Sequence, residues 1–360
     1  MNRTTASPSS SVTARRFHRA CGIAAATFAL VSPLAIGVAQ AQDNVLNLYS
    51  ARHYQTDEAL YSDFTEATGI KINRIELGDE ALLERMRSEG NKSPADVVLL
   101  VDAARLWKAQ SEGLFQPVSS AILDQRIPKE FRAADGSWYG MSSRARVILY
   151  SKASVKAEDV DSYEELADSK NHGKVCTRSG SHPYNLSLFA SLLERNGADK
   201  TRELMKGIVA NQARAPKGGD TDQIKAVASG ECQVAVANSY YWVRLVASKK
   251  PEDQEVVSKV AMLFPNQATT GTQLNLSGAG IARYAPHREA AVKFIEYLSS
   301  DSAQAYFANG NNEWPTVATA RINNPALTAL GKFKADTLPV EILGKRSAEA
   351  QKLLDEAGYR

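Results

Sequence analysis

Residues 95–102, ADVVLLVD, are a short run rich in valine and leucine. A run of this length and composition is typical of a strand that is buried on both faces of a parallel sheet. The segments on either side, GDEALLERMRSEG (78–90) and AARLWKAQSEG (103–113), have helical patterns, and the first of them ends at a glycine. The stretch therefore predicts a buried strand between two helices, which is a unit of α/β proteins.

The same alternation extends toward the N-terminus. NVLNLYSA (44–51) is a strand candidate, and IKINRIEL (70–77) alternates polar and apolar residues as a strand does. Between them, residues 56–69 predict a helix with Thr56 or Asp57 at its N-cap and Gly69 as its stop. The resulting β-α-β-α-β order predicts an open, mostly parallel sheet with helices on both faces.

Two long β-rich segments predict that the chain passes between two lobes. They are residues 139–152 and 270–286, and a second alternation of strand and helix patterns lies between them. Because no disordered linker interrupts the sequence, we expect lobes that are joined by strands, with a ligand cleft between the lobes. The predicted parts are an N-terminal lobe (42–145 and 272–330), a C-terminal lobe (146–271) and a helical segment (331–360) that packs on one lobe.

The first 41 residues have the pattern of a cleaved signal peptide. An N-terminal region with four arginines and no acidic residue precedes an apolar run, and an A-x-A cleavage motif ends at Ala41. A membrane anchor is the alternative, but Ser32 and Pro33 interrupt the apolar run. The pair Arg15-Arg16 leaves both the twin-arginine and the general secretory route open. The sequence therefore predicts an exported, periplasmic protein.

Charge and cysteine content narrow the function classes. Removal of residues 1–41 takes the net charge from +3 to −1, so the mature chain has no basic excess for nucleic acid. No later stretch is long and apolar enough to span a bilayer. Cys176 and Cys232 remain after cleavage, and a disulfide is the default for such a pair in an oxidising compartment. A metal pair or a catalytic thiol is the alternative.

Tyrosines follow three of the predicted strands. Tyr54 comes just after the first strand, in LNLYSARHY, and Tyr184 follows the first strand of the second lobe, in KVCTRSGSHPY. Tyr240 and Tyr241 follow the strand CQVAVA (232–237), and Ser239 can cap a helix that begins at Tyr240. Ligands of open α/β sheets bind at the carboxyl ends of strands. We therefore expect phenols from both lobes to meet in one cleft.

Phenolate oxygens suit a hard, highly charged cation. Such a cation can hold a phenol deprotonated at neutral pH, although the free pKa of tyrosine is about 10. Tyrosinate is a ligand of iron, and arginines near the strand ends can balance surplus phenolate charge. Two other interpretations stay open: tyrosines that line a cleft for an organic solute or oxyanion, and a secreted metal-dependent enzyme. The arginines in question are Arg52, Arg144, Arg146 and Arg178.

Several segments together resemble the periplasmic ferric-iron-binding proteins of bacterial ABC importers, most closely the FutA-type branch. They include LYSARHYQTDEALYSDFTEATGI, CTRSGSHPYNLSL, GECQVAVANSYYW and NGNNEWP, and the resemblance covers nearly all of residues 43–330. It implies a two-lobed, class II periplasmic-binding-protein fold with mixed, mostly parallel sheets. It also implies a monomeric transport protein, not an enzyme, that closes on Fe(III) and delivers it to an inner-membrane permease with a cytosolic ATPase.

The resemblance also implies roles for individual residues. Tyr54, Tyr184, Tyr240 and Tyr241 correspond to the iron ligands, and His53 stands where this branch has a histidine, as a candidate fifth ligand. A synergistic anion such as carbonate is a further implication. Arg52, Arg144 and Arg178 are the candidates to balance phenolate charge or to hold that anion, and Cys176 and Cys232 fall where the branch has its disulfide.

Overall fold

The computed structural model describes residues 44–52 and 55–360. The predicted signal peptide and the predicted ligands His53 and Tyr54 lie outside these residues. In the part of the chain that is described, no helix has the length and apolar character needed to cross a membrane.

Strands and helices alternate along most of the chain. The strands are β1 (Val45–Ser50), β2 (Lys71–Glu76), β3 (Val97–Leu100), β4 (Phe115–Gln116), β5 (Tyr139–Ser151), β6 (Val175–Cys176), β7 (Val234–Asn238), β8 (Val260–Leu263), β9 (Leu274–Ala282) and β10 (Trp314–Pro315). The helices are α1 (Asp57–Thr68), α2 (Asp79–Glu89), α3 (Ala103–Ser111), α4 (Ala121–Arg126), α5 (Pro183–Asn196), α6 (Ala198–Ala210), α7 (Asp220–Ser229), α8 (Ser239–Ala247), α9 (Pro251–Lys259), α10 (Arg288–Leu298), α11 (Asp301–Asn309), α12 (Pro325–Thr328), α13 (Glu341–Lys345) and α14 (Ser347–Glu356).

The predicted β-α-β-α-β run of residues 44–113 is confirmed. β1 pairs in parallel with β2 on one side and with β3 on the other, so that Leu48 lies opposite both Arg74 and Val97. All four residues of β3 are buried, as expected for a strand covered on both faces. Helix α1 ends at Gly69, which adopts the left-handed conformation (φ 72°) that glycine tolerates best.

The long strand β5 joins two groups of strands. Its first half, Tyr139–Ala145, runs antiparallel to β9, and its second half, from Arg146, runs antiparallel to β7. The order β2-β1-β3-β9-β5-β7-β6 thus becomes continuous through β5. The mixed α/β class is confirmed with one correction. The sheet is parallel only in its outer parts, because β5 and β9 both cross the centre in opposite directions.

Separate apolar cores cover the two groups of strands. Phe64, Phe294 and Phe307 pack against β1 and β3, whereas Phe189 and Leu193 pack against β7 with residues of α6 and α14. This separation agrees with two lobes, but the predicted lobe boundaries at 145/146 and 271/272 stay a prediction.

The C-terminal segment contacts both of these regions. Val340 and Leu343 lie in a core cluster with residues of α2 and α3, whereas Leu353 and Leu354 lie in the cluster around Phe189. The expected packing of residues 331–360 on one lobe stays a prediction, because the lobe boundaries do. The sequence shows that the helices are amphipathic but not which surfaces cover their apolar faces.

Candidate metal centre

Tyr184 lies in the first turn of α5. Pro183 begins this helix, in the position where the missing N–H of proline costs nothing. His182 is the N-cap, and its Nδ1 accepts a hydrogen bond of 3.2 Å from the Tyr184 backbone N–H. The local sequence HPY therefore fixes both the start of the helix and the place of the phenol.

Tyr240 and Tyr241 lie in the first turn of α8, directly after β7. The helix begins at Ser239, one residue earlier than predicted, and the Ser239 side chain does not cap it. The Ser239 hydroxyl instead accepts a hydrogen bond of 3.2 Å from the backbone N–H of Ala145 in β5. The predicted cap is thus wrong, because a neighbouring strand competes for the same oxygen.

The structure brings these three phenols together. The hydroxyls of Tyr184 and Tyr240 lie 3.2 Å apart, and the ring centroids of Tyr240 and Tyr241 lie 4.2 Å apart. Tyr240 is buried, whereas Tyr184 and Tyr241 are partly exposed. Both helices direct their N-terminal ends toward the cluster, and the positive end of a helix dipole favours anionic oxygens. Three of the four predicted phenol ligands therefore converge, and Tyr54 lies outside the described residues.

Guanidinium groups surround Tyr184. Those of Arg144, Arg146 and Arg178 lie 5.8, 5.9 and 5.1 Å from the centroid of its ring. Burial acts to lower the pKa of Arg144, but the acidic groups around it, first Glu313, outweigh burial and raise that pKa, so Arg144 stays charged. Buried positive charge of this kind stabilises anionic ligands in the same cleft.

His182 is neutral in this environment. Burial and the charges of Arg178 and Arg146 lower its pKa from 6.5 to about 3. Its Nε2 lies 2.7 Å from Nη2 of Arg178. A neutral imidazole has one acceptor nitrogen, which here is the Nδ1 that accepts from Tyr184, so Nε2 carries the proton and does not accept a hydrogen bond from Arg178. We conclude that His182 acts as a cap and a contact of Arg178.

Arg52 is held by two carboxylates. Its Nε lies 2.9 Å from Asp57, and its Nη1 lies 3.3 Å from Glu313. Glu313 also accepts a hydrogen bond of 2.8 Å from Ser142 and lies 3.9 Å from Nη1 of Arg144. Glu313 therefore links Arg52, which precedes the predicted ligands His53 and Tyr54 in the sequence, with Arg144, which lies over the Tyr184 ring.

Sequence reasoning missed the acidic and amide partners of these arginines. Asp220 contacts Arg146 and Arg178, and Glu313 contacts Arg52. Glu313 lies in the segment NGNNEWP, but no pattern in the sequence singles out its carboxylate. Asp220 is an acidic residue in the first turn of a helix, which is a common position for aspartate. No local signal distinguished either residue from surface carboxylates.

The predicted disulfide is present. Cys176, at the end of β6, is bonded to Cys232, just before β7, and both cysteines are buried. Neither thiol is then available as a metal ligand. Within residues 44–52 and 55–360, no group of three or more histidines, cysteines, aspartates or glutamates could hold a metal ion. The phenols are therefore the donor set that the described part of the cleft offers.

The fold and the site together define a class of protein. An α/β chain with two separately packed groups of strands, joined by a long strand and presenting polar side chains at helix N-termini, has the architecture of a ligand-binding protein. Residues 59–335 match the model of the bacterial extracellular solute-binding protein family. Since this match covers well over half of the chain, the protein belongs to that family.

Relatives within the family are named for iron. The chain is 49% identical to iron uptake protein A1 of Synechocystis, over 88% of this chain and 87% of that protein. It superimposes with a TM-score of 0.84 on the Trichodesmium FutA (IdiA) structure in complex with iron and citrate, at 50% identity over 88% of this chain and all of that one. The ferric binding protein of Campylobacter jejuni is 37% identical, with a TM-score of 0.84 and the same coverage.

Proposed function

We propose that this protein is a periplasmic Fe(III)-binding protein that delivers iron to an ABC-type import permease with a cytosolic ATPase. The observation that carries this proposal is the convergence of Tyr184, Tyr240 and Tyr241, with two hydroxyls 3.2 Å apart among buried arginines. Hard phenolate oxygens suit Fe(III), and neither carboxylates nor thiols of the described residues offer an alternative site.

The proposed ligand set combines both lobes. Tyr184, Tyr240 and Tyr241 supply three phenolates from α5 and α8. Tyr54, with His53 as a candidate fifth ligand, completes the proposed set from the sequence between β1 and α1. Three phenolates balance the charge of Fe(III), and a fourth leaves one negative charge for Arg144, Arg178 or Arg52. The resemblance of the ligand segments supports Tyr54 and His53.

Closure of the two lobes follows from this arrangement. Iron binds to the phenols of one lobe first, and the ligands of the other lobe then complete the coordination. The closed state is favoured by the bonds that only this state can make. β5 pairs with β9 in one group of strands and with β7 in the other, and we propose that closure bends the chain there.

The relatives support iron as cargo and an anion as its companion. Two of them are named for iron uptake and ferric iron binding, and one structure contains iron and citrate. Carbonate or citrate would bind beside the metal, facing the buried guanidiniums. We further propose that the mature chain acts as a monomer, without enzymatic activity, after export by either secretory route.

The test is a titration of the metal-free mature protein with ferric citrate, followed by visible absorption. Tyrosinate bound to Fe(III) gives a charge-transfer colour that carboxylate or imidazole sites lack. We expect the colour to saturate at about one iron per chain. The double variant Tyr240→Phe/Tyr241→Phe should lose the colour, whereas Tyr284→Phe should keep it, because the Tyr284 side chain is exposed, with 49% of its surface accessible.

A second measurement distinguishes iron from other cargo. Iron should raise the melting temperature of the wild-type protein, and a chelator should reverse that increase. If iron gives neither colour nor stabilisation, while an organic solute or oxyanion stabilises the protein in the presence of chelator, the iron function is wrong. The tyrosines would then line a cleft for that solute.

A further inference from the structure

Asp220 occupies a position that the proposed iron site does not yet explain. It is the first residue of α7 and is fully buried. A buried carboxylate is costly unless cations or N–H donors compensate it. The contacts of Asp220 therefore show which parts of the protein depend on its charge.

Three donors converge on the Asp220 carboxylate. Nη1 of Arg146 lies 2.8 Å from its Oδ2, and Nη1 of Arg178 lies 3.2 Å from its Oδ1. The backbone N–H of Asn238 donates to Oδ2 at 2.7 Å. One carboxylate thus holds two guanidiniums and the last residue of β7.

Each of these partners leads directly to a phenol. Nη2 of Arg146 donates to the side-chain oxygen of Asn185 at 2.8 Å, and Asn185 follows Tyr184 in α5. Nη1 of the same arginine contacts the side-chain oxygen of Asn238 at 3.2 Å, two residues before Tyr240. The guanidinium of Arg146 therefore connects the start of α5 with the end of β7, and Asp220 fixes where this guanidinium lies.

Arg178 completes the connection. Its guanidinium lies over the Tyr184 ring and contacts His182, the N-cap of α5. The backbone carbonyl of Arg178 accepts a hydrogen bond of 3.0 Å from the Asn185 side chain. Arg178, in the loop before α5, thus contacts Asp220 through its side chain and α5 through its backbone carbonyl.

We propose that Asp220 is a positioning residue for iron. Through Arg146 and Arg178, it holds the starts of α5 and α8 in the register that places the Tyr184 and Tyr240 hydroxyls 3.2 Å apart. This inference rests on the proposed function, since it assigns Asp220 a role at the same iron site. Without the charge of Asp220, the buried Arg146 and the partly exposed Arg178 lose their shared partner, and the two helix starts are free to separate.

The test compares Asp220→Asn with Asp96→Asn. Asp96 is a matched control, because it is also fully buried and accepts three hydrogen bonds, from Asn47 and twice from His287, away from the phenols. Each protein is purified as a folded, metal-free chain and titrated with ferric citrate. The readouts are the iron affinity, the intensity and wavelength of the charge-transfer band per bound iron, and the melting temperature without metal.

We expect Asp220→Asn to weaken iron binding by about 10- to 100-fold, the range for residues that orient metal ligands. The charge-transfer band should also lose intensity or shift, since one phenolate is displaced. Asp96→Asn should lower the melting temperature but leave the affinity and the band of the wild type. The proposal is overturned if Asp220→Asn keeps the iron affinity and the band of the wild type. It is also overturned if Asp220→Asn and Asp96→Asn lose the same amount of iron affinity.

Arg178→Gln covers the case in which Asp220→Asn does not fold. It removes one partner of Asp220 at a less buried position and should change the band in the same direction, with a smaller loss of affinity. An unchanged band in Arg178→Gln would then overturn the proposal. Wild-type protein without any colour would instead overturn the proposed iron function, and this inference with it.

Discussion

Two charged clusters of the candidate site hold their charges in opposite ways. In the Arg52 cluster (Arg52, Asp57 and Glu313), two carboxylates share one guanidinium. In the Tyr184 cluster (Tyr184, Tyr240, Arg146, Arg178 and Asp220), two guanidiniums share one carboxylate and lie beside phenols. The first arrangement stabilises the fold around a cation, whereas the second leaves positive charge beside oxygen atoms that can become anionic.

The difference predicts separate functions for the two clusters. Loss of a charge from the Arg52 cluster should mainly affect the stability of the metal-free protein. Loss of an oxygen from the Tyr184 cluster should mainly affect iron. The following variants test this separation in order of decreasing free-energy change.

The largest change, in the free energy of unfolding of the metal-free protein, is expected for Arg52→Gln. Removal of the Arg52 guanidinium takes the shared cation from the buried carboxylates of Asp57 and Glu313 and leaves Glu313 with Arg144, at 3.9 Å. Breaking a buried pair costs about 3–5 kcal/mol. Urea unfolding of the metal-free protein measures this loss. Arg202→Gln is the control variant, because Arg202 also pairs with two carboxylates but at the surface, where such pairs contribute about 0–1 kcal/mol. Similar losses in both variants would contradict the special role of the Arg52 cluster.

The next-largest change, in the free energy of iron binding, is expected for Tyr184→Phe. Removal of one phenolate ligand should weaken iron binding by about 100-fold, or close to 3 kcal/mol. The variant should unfold at nearly the wild-type urea concentration, since the ring still fills its place. Competition with a chelator of known affinity measures the loss.

Tyr49→Phe is the matched control for Tyr184→Phe. Its hydroxyl contacts Glu89 and Arg85 at 2.9 and 3.0 Å, away from the Tyr184 cluster, so iron affinity should stay at the wild-type value. Equal losses of iron affinity in Tyr184→Phe and Tyr49→Phe would remove the basis for assigning the phenols to the metal.

At neutral pH the smallest free-energy change is expected for His182→Asn, whose effect on stability develops only as the pH falls. Burial and the neighbouring arginines lower the pKa of His182 from 6.5 to about 3, so the unfolded chain binds a proton there before the folded chain does. The folded state therefore loses stability as the pH falls from 6.5 toward 3. Asparagine keeps the N-cap of α5 but does not titrate, so the melting temperature of the variant should fall less steeply over this range. Parallel pH profiles would show that His182 does not contribute.

The sequence predicted much of the fold because the relevant signals are local. The apolar run at 95–102, the glycine after α1 and the two long β-rich segments each act through their own backbone or nearest neighbours. The antiparallel pairing of β5 with β9 and the path of residues 331–360 across two cores were not predictable in this way. They depend on which distant surfaces remain uncovered after the local elements form.

The candidate site was also predictable from the sequence only in part. Its phenols could be found because each follows a predicted strand, and such ends meet at one edge of a sheet. The carboxylates that hold the arginines could not be found. Asp220 is 74 residues from Arg146, and Glu313 is 261 residues from Arg52. A carboxylate on a helix or in a loop has the same local pattern whether it faces water or a buried guanidinium.

The sequence by itself therefore determined the alternation of strands and helices, the cysteine pair and the residue types available as ligands. Only the tertiary structure decided which guanidinium each carboxylate holds and how closely the Tyr184 and Tyr240 hydroxyls approach. The physical reason is that periodicity and caps depend on neighbours along the chain, whereas the pairing of buried charges depends on distances in the folded protein.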